Sequence, residues 1–342
     1  MYNKNYQLYQ LYSERKTQYL FRKFMQIKRA LGMYISHSKL LKGPAIDINL
    51  AIFQWDKRQQ HKSFGTLNPS LKFYVIRSSG TDEGLLSLYL GRIQQIHSLR
   101  QAGFVPVIDW ENYKTQYNVD FPVNGTRNAW EYYFEQPSSY TLEEVYKSMD
   151  VTLSGWRFFQ HYQSHKEDSQ VITYDMMQAA PVKKYIADIA REKSNADGIN
   201  EMIGVLVRGT DYTKLKPAGH PIAPTPEMVS EKIDEFLAEY GARRIFLATE
   251  DSDIYSFFTQ KYGSLIYTTD KNLITNYSGH DYIANSIGAK NKYQFGLDYL
   301  VKMLCLSECR FFIASGTSGA KFARIMNNGR YEHEYLFNLG VY

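Results

Sequence analysis

Four times between residues 201 and 328, an apolar run of strand length ends in a polar turn and gives way to a run of helix length. The pairs are EMIGVLVRG with TPEMVSEKIDEFLAEYG, RRIFLATED with DIYSFFTQKYG, SLIYTT with NKYQFGLDYLVKMLCLSE, and RFFIASG with TSGAKFARIMNN. Parallel strands need a crossover to join them, and a helix supplies it. The alternation therefore predicts a parallel sheet with helices on both faces. Ligands of such sheets bind outside the carboxyl ends of the strands, so the polar residues that follow each strand are where chemistry is expected.

The rhythm begins earlier, at residue 71. LKFYVIR reads as a buried strand, GLLSLYLGRIQQIHSLRQAG as a helix closed by Gly103, and FVPVIDW as the next strand. The polar and aromatic stretch NAWEYYFEQPSSYTLEEVYKSM is expected over the strand ends, with Ser139 and Thr141 as caps of a short helix at 141–148. A helical segment over 174–193, interrupted by Pro181, runs into the polar REKSNADGIN, which predicts a domain boundary near 197. The expected fold class is α/β, with residues 46–197 and 198–342 forming two domains around a central cleft.

Composition serves mainly to exclude. With 342 residues, 44% apolar and 22% charged, the chain has material for two cores and lacks the signature of disorder. No apolar run reaches the roughly 18 residues of a membrane span, and MYNKNYQLYQLYSERK lacks a signal peptide's apolar core, so a cytoplasmic protein is expected. Cys305 and Cys309 stand i, i+4 in an apolar segment and read as core packing.

The net charge of +5 is unevenly placed. Residues 1–42 hold nine Lys or Arg against one acid, Glu14, which leaves −3 over the other 300 residues. Apolar residues from Leu8 to Leu31 follow a helical stripe, so residues 1–45 are expected to form a basic helical extension. It either docks on its own domain or lies on the anionic inner face of a membrane. No helix-turn-helix, finger or RNA-binding pattern accompanies the charge, so nucleic acid is not an expected partner.

The chain has no G-x-x-x-x-G-K-[ST], no G-x-G-x-x-G after a strand, no H-E-x-x-H, no G-x-S-x-G and no C-x-x-C. Three strand ends in the second half remain. GVLVRGTDYTKLKPAGHPI ends its strand in Arg208, followed by Gly209, Thr210 and Asp211, with His220 further on. A permanently charged guanidinium suits a diphosphate, and Gly209 would let the backbone approach it; the bland reading is an Arg paired with Asp211. RRIFLATEDSD places Glu250 and Asp251 at a strand end, where Asp251 reads as a helix cap and Asp251-Ser252-Asp253 also spells a D-x-D metal pattern. RFFIASGTSGAKF offers Ser315, Thr317 and Ser318 around a helix N-terminus, a natural phosphate cradle.

In this order, LVRGTD, HPI, LATED, the Leu306-Ser307 pair and SGTS resemble the α-1,6-fucosyltransferase and nodulation-factor fucosyltransferase family over residues 203–326, with more distant similarity to protein O-fucosyltransferases. The resemblance implies a GT-B-type pair of Rossmann-like domains and inverting transfer of fucose from GDP-fucose with no metal and no cofactor. Residue by residue, it implies that Arg208 contacts the donor diphosphate and Asp211 lies beside it. Glu250 and Asp251 would line the nucleotide pocket, and Thr317 and Ser318 would bind phosphate. The chain departs from the pattern at Leu206, Gly209, Tyr212 and Lys216. The position counted back for a guanine-reading acid is Lys302, with Asp298 one helical turn earlier on the same face.

Transfer also needs a base near the acceptor hydroxyl. Glu83, in SSGTDEGLLS, resembles the Glu-Gly at the matching strand-to-helix turn of a protein O-fucosyltransferase, and Asp211 competes with it. Trp130 and Tyr133 are expected to present aromatic faces to a saccharide or lipid-linked saccharide acceptor. The leading expectation is a glycosyltransferase of cell-surface polysaccharide or lipopolysaccharide synthesis. The same fold with another nucleotide sugar, or a non-catalytic nucleotide- or glycan-binding protein, stands beside it.

Overall fold

The computed structural model describes residues 59–77, 83–155, 171–216, 220–269 and 292–342, with isolated positions 271 and 274. The basic extension expected over residues 1–45 lies outside the described residues. By contact, the chain forms two compact units from interleaved segments. The first comprises the described parts of Met1–Ser79, Gln95–Lys114 and Gln136–Ser169; the second comprises those of Gly80–Gln94, Thr115–Glu135 and Gln170–Tyr342.

In the first unit, β1 (Gln60–Lys62), β2 (Leu67–Arg77), β3 (Val105–Asp109) and β4 (Ser148–Leu153) form a sheet of order β1-β4-β2-β3. β2 runs parallel to β3 and β4, while β1 is an antiparallel edge. Helix α1 (Leu85–Gln101) follows β2 and precedes β3 in the chain, as the sequence rhythm predicts, its residues 85–94 belonging to the second unit and 95–101 to the first. The short helix expected at 141–148 is α2 (Leu142–Val145), held by a capping box in which the Thr141 hydroxyl accepts from Glu144 N and the Glu144 carboxylate accepts from Thr141 N. Phe73, Val75, Val107, Val145, Val151 and Leu153 form one core cluster on a shared face of the sheet, while Tyr74, Ile76 and Ile108 are buried on the other.

In the second unit, α3 (Tyr174–Met177) and α4 (Lys184–Asp197) flank Pro181. The polar run expected as a linker is instead the end of α4, which buries Ala190 and Ser194 and stops at Gly198; residues on both sides of 197 belong to this unit. Next come β5 (Ile203–Leu206), α5 (Thr210–Leu215), α6 (Pro226–Glu239), β6 (Ile245–Ala248), α7 (Ser252–Tyr262), β7 (Ile266–Tyr267), α8 (Lys292–Ser307), β8 (Phe311–Ser315), α9 (Ser318–Asn327) and β9 (His333–Phe337). The sheet order is β7-β6-β5-β8-β9, and every pairing is parallel.

β5, β6 and β8 are buried along their whole length, which explains why their sequences run continuously apolar. α6 begins at Thr225, whose hydroxyl accepts from Met228 N, with Pro226 at the first helical position. Its Val229, Ile233 and Phe236 meet Ile203, Val205, Ile245, Leu247, Phe311 and Ile313, joined by Ile254 and Phe258 of α7. On the other face, a Cβ added at Gly204 would meet Leu306 at 3.1 Å and Cys309 at 2.9 Å. Helices therefore cover both faces. Cys305 and Cys309 are both buried, in keeping with core packing.

Candidate functional site

The order of the second sheet sets β5 beside β8, with the chain winding away from them in opposite directions. This is the topological switch point, where a crevice opens beyond the carboxyl ends of the two strands. The segments that leave β5 and β8 there are 207–211 and 316–319, two of the three singled out from sequence.

Val207 N donates to Ala248 O at 3.0 Å, which keeps the chain bound to β6 as far as Arg208. Arg208 Nε lies 3.1 Å from Glu250 Oε1, with the two side chains 22% and 15% exposed. The same carboxylate oxygen accepts from Gly209 N and from Thr210 Oγ1, both at 3.3 Å. Asp251 divides its oxygens: Oδ1 accepts from Asp253 N at 2.9 Å and Ile254 N at 3.2 Å, capping α7, while Oδ2 accepts from Thr210 N at 2.8 Å. Arg208 pairs here with Glu250; the side chain of Asp211, the second residue of α5, lies outside the described set.

Two backbone features make this corner unusual. Thr210, buried and β-branched, has φ +49, a left-handed conformation that costs about 1–3 kcal/mol and persists only where its surroundings enforce it. The enforcing contacts are those of Glu250 and Asp251. A Cβ at Gly209 would lie 2.4 Å from Asp251 Oδ2 and 2.7 Å from Ile254 Cδ1. The close approach expected between Gly209 and a ligand is thus taken by Asp251, and the glycine lets the end of β5 pack on α7. Asp251 thus serves as the cap of α7 that the sequence offered, with its second oxygen on Thr210 N. Among the described residues no group of three or more His, Cys, Asp or Glu could hold a metal.

Across the switch point, Ser315 ends β8 and is buried, its carbonyl accepting from Thr317 N at 2.7 Å. Thr317 is the N-cap of α9, its hydroxyl accepting from Ala320 N at 3.2 Å. The first-turn N–H groups of α9, starting at Ser318, set the positive end of the helix dipole just beyond β8, the neighbour of the strand that leads to Arg208. His220 is exposed, and its carbonyl accepts from Tyr342 N at 3.0 Å, so the HPI segment pairs with the end of the chain. On α8, Asp298 is half-buried and accepts from Gln294 Nε2 at 2.7 Å, whereas Lys302 is buried.

Glu83 is exposed one residue before the Gly84 that leads into α1, within the same unit as Arg208. Its carbonyl accepts from Gln116 Nε2 at 2.7 Å. Burial pushes the nearby Arg92 guanidinium below its ordinary pKa, and the Glu83 charge pulls it back up.

The acceptor role expected of Trp130 and Tyr133 is corrected. Both have 0% exposure, which leaves no ring face for a sugar. Trp130 packs with Tyr89 and Phe134, and Tyr89 also meets Phe322 of α9, with centroid separations from 4.2 to 5.8 Å. These rings hold the start of α1 against α9. Tyr133 donates its hydroxyl to Tyr293 O at 3.0 Å, and Gly296 is glycine because a Cβ there would lie 2.4 Å from that phenol oxygen.

Sequence reasoning also passed over the carboxyl ends of the first sheet. Arg77 and Asp109 are register partners there, both buried. Arg77 Nε donates to Ser154 O at 2.8 Å, and its guanidinium lies 5.0 Å from the Tyr113 ring centre. Asp109 accepts from Asn112 N and Nδ2, both at 2.8 Å, from Glu111 N at 3.1 Å and from Tyr146 Oη at 2.7 Å; burial outweighs these bonds and holds its pKa above the ordinary carboxylate value. The only available signal was the polar residue closing each apolar run.

No family model matches the chain, and no curated protein does. Among solved structures it is similar to the fucosyltransferase NodZ from Bradyrhizobium, with 13% identity over 79% of this chain and 96% of that one and a TM-score of 0.46. A NodZ alpha-1,6-fucosyltransferase soaked with GDP-fucose matches at 14% identity over 75% and 93%, with a TM-score of 0.44. POFUT1 in complex with GDP-fucose matches at 10% identity over 78% and 74%, with a TM-score of 0.37. Among the described residues no helix is long and apolar enough to cross a membrane.

Proposed function

We propose that the chain is an inverting, metal-independent glycosyltransferase of GT-B type that moves fucose from GDP-fucose onto a saccharide or lipid-linked saccharide acceptor in cell-surface glycan synthesis. One observation carries the reading: Arg208 and the N-terminus of α9 follow the carboxyl ends of the adjacent parallel strands β5 and β8, at the switch point of the sheet. That arrangement suits a diphosphate.

The acceptor oxygen attacks the anomeric carbon as the bond to the β-phosphate oxygen breaks, and the acceptor proton passes to a carboxylate. Charge grows on the departing diphosphate, and Arg208 with the α9 amides neutralises it. Glu83 is the proposed base, with Asp211 the alternative. Asp298 is the acid on α8 assigned to the nucleobase. Another nucleotide sugar is the second reading, favoured by Lys302 at the counted-back position.

The test is to incubate the protein, with and without EDTA, with GDP-fucose, GDP-mannose and UDP-sugars plus saccharide acceptors, and to identify products by mass spectrometry and anomeric NMR. An EDTA-insensitive product of inverted configuration from GDP-fucose is expected. Retained configuration, or neither transfer nor donor hydrolysis with any donor, would overturn the proposal.

A further inference from the structure

The short segment 115–118 grips the chain on both sides of Gly84. Gln116 Nε2 donates to Glu83 O at 2.7 Å, and Leu85 N, the first amide of α1, donates to Tyr117 Oη at 2.7 Å. A turn that carries an exposed carboxylate is thereby fixed by two buried side chains, Gln116 at 8% and Tyr117 at 3% exposure.

The grip is braced from within and from behind. Thr115 N donates to Asn118 Oδ1 at 2.7 Å, and Tyr117 N to Thr115 Oγ1 at 3.2 Å, closing the segment on itself. The Tyr117 ring stands edge-on to Tyr133 at 6.1 Å, and Tyr133 in turn stacks on Tyr293 of α8 at 5.8 Å. Burial raises the Tyr117 pKa, so the phenol stays neutral. Tyr117 thus ties the turn bearing Glu83 to Tyr133 and, through it, to α8, all within the unit that holds Arg208.

We propose that Gln116 and Tyr117 are positioning residues that hold Glu83 at a fixed place relative to the Arg208 site. The inference rests on the reading of Glu83 as the base of the transfer reaction. A base displaced by about an ångström loses on the order of a hundredfold in rate, so the clamp acts on the chemical step and not on donor binding.

The experiment is a double-mutant cycle with Tyr117→Phe, which keeps the ring and removes the acceptor of the Leu85 amide, and Glu83→Gln, followed by kcat, KM and calorimetric GDP affinity. Gln116→Met serves as a second variant if Tyr117→Phe folds poorly by circular dichroism. The expected result is a tenfold to hundredfold drop in kcat for Tyr117→Phe, unchanged GDP affinity, and a double variant no slower than Glu83→Gln alone. Wild-type kcat with a lowered melting temperature would make Tyr117 a structural helix anchor and overturn the inference. Fully additive losses, or wild-type transfer by Glu83→Gln, would do the same. Absence of transfer by the wild-type protein with every donor would instead remove the reading on which the inference stands, and the inference with it.

Discussion

Gly209→Ala tests whether the Arg208 corner is built as described. The new Cβ would sit 2.4 Å from Asp251 Oδ2, 2.6 Å from Asp251 Cβ and 2.7 Å from Ile254 Cδ1, so the end of β5 or the first turn of α7 must move. Overpacking of this kind costs about 1–3 kcal/mol. The movement also breaks the 2.8 Å bond from Thr210 N to Asp251, a hydrogen bond to a charged group worth about 1.5–3 kcal/mol. A total on the order of 3–5 kcal/mol corresponds to roughly 10 °C in melting temperature for a unit of this size. Because Glu250 touches both Gly209 and Arg208, nucleotide diphosphate affinity should fall together with stability. Calorimetry with and without GDP measures both. In the double variant with Asp251→Ala the 2.4 Å clash with Oδ2 is relieved and the Thr210–Asp251 bond is lost only once, so the combined loss should be less than the sum of the two. A Gly209→Ala protein that melts and binds like wild type would refute the geometry.

Thr317→Ala removes the α9 cap; about 1 kcal/mol of stability should be lost, seen in urea unfolding, with weaker diphosphate binding as the first turn frays. Trp130→Ala should cost about 3–5 kcal/mol in the same assay, because the ring fills the packing between α1 and α9; an acceptor-contact role would instead raise the acceptor KM and leave stability unchanged. Asp109 has its pKa raised in the folded state, so its contribution to stability is complete below the unfolded pKa and is lost as pH rises through the folded value. Urea midpoints followed from acid to neutral pH should show that decline in wild type, and Asp109→Asn should flatten it; identical profiles would contradict the assignment.

The second sheet was legible because β5, β6 and β8 are buried on both faces and leave unbroken apolar runs, the latter two followed directly by helices capped by Asp251 and Thr317. β4 and β9 were not. β4 carries Asp150 inside a six-residue strand, and the first three residues of β9 are exposed, so neither shows an apolar run. The helix α5 was hidden by its loop-like sequence, GTDYTKL, whose first helical residue sits in a left-handed conformation that periodicity does not register. The places of Arg208, Glu250, Asp251 and Thr317 at strand ends and helix starts were readable because such positions announce themselves by residue type. Tyr117 and Gln116 were not, since their importance lies in contacts more than thirty residues away, with Glu83 and Leu85. Trp130 and Tyr133 were misread because an aromatic run looks the same whether it faces a ligand or a core; burial alone separates the two.

The central claim is that Arg208 and α9 hold a nucleoside diphosphate at the switch point. The most direct measurement is a thermal-shift titration of wild type and Arg208→Ala with GDP, UDP, CDP, GDP-fucose and GDP-mannose, with and without EDTA, since a ligand that binds only the folded state raises its melting temperature. The account predicts a guanine-selective, EDTA-insensitive shift in wild type that is lost in Arg208→Ala. A shift of equal size in Arg208→Ala, or one that appears only with a divalent metal, would contradict it.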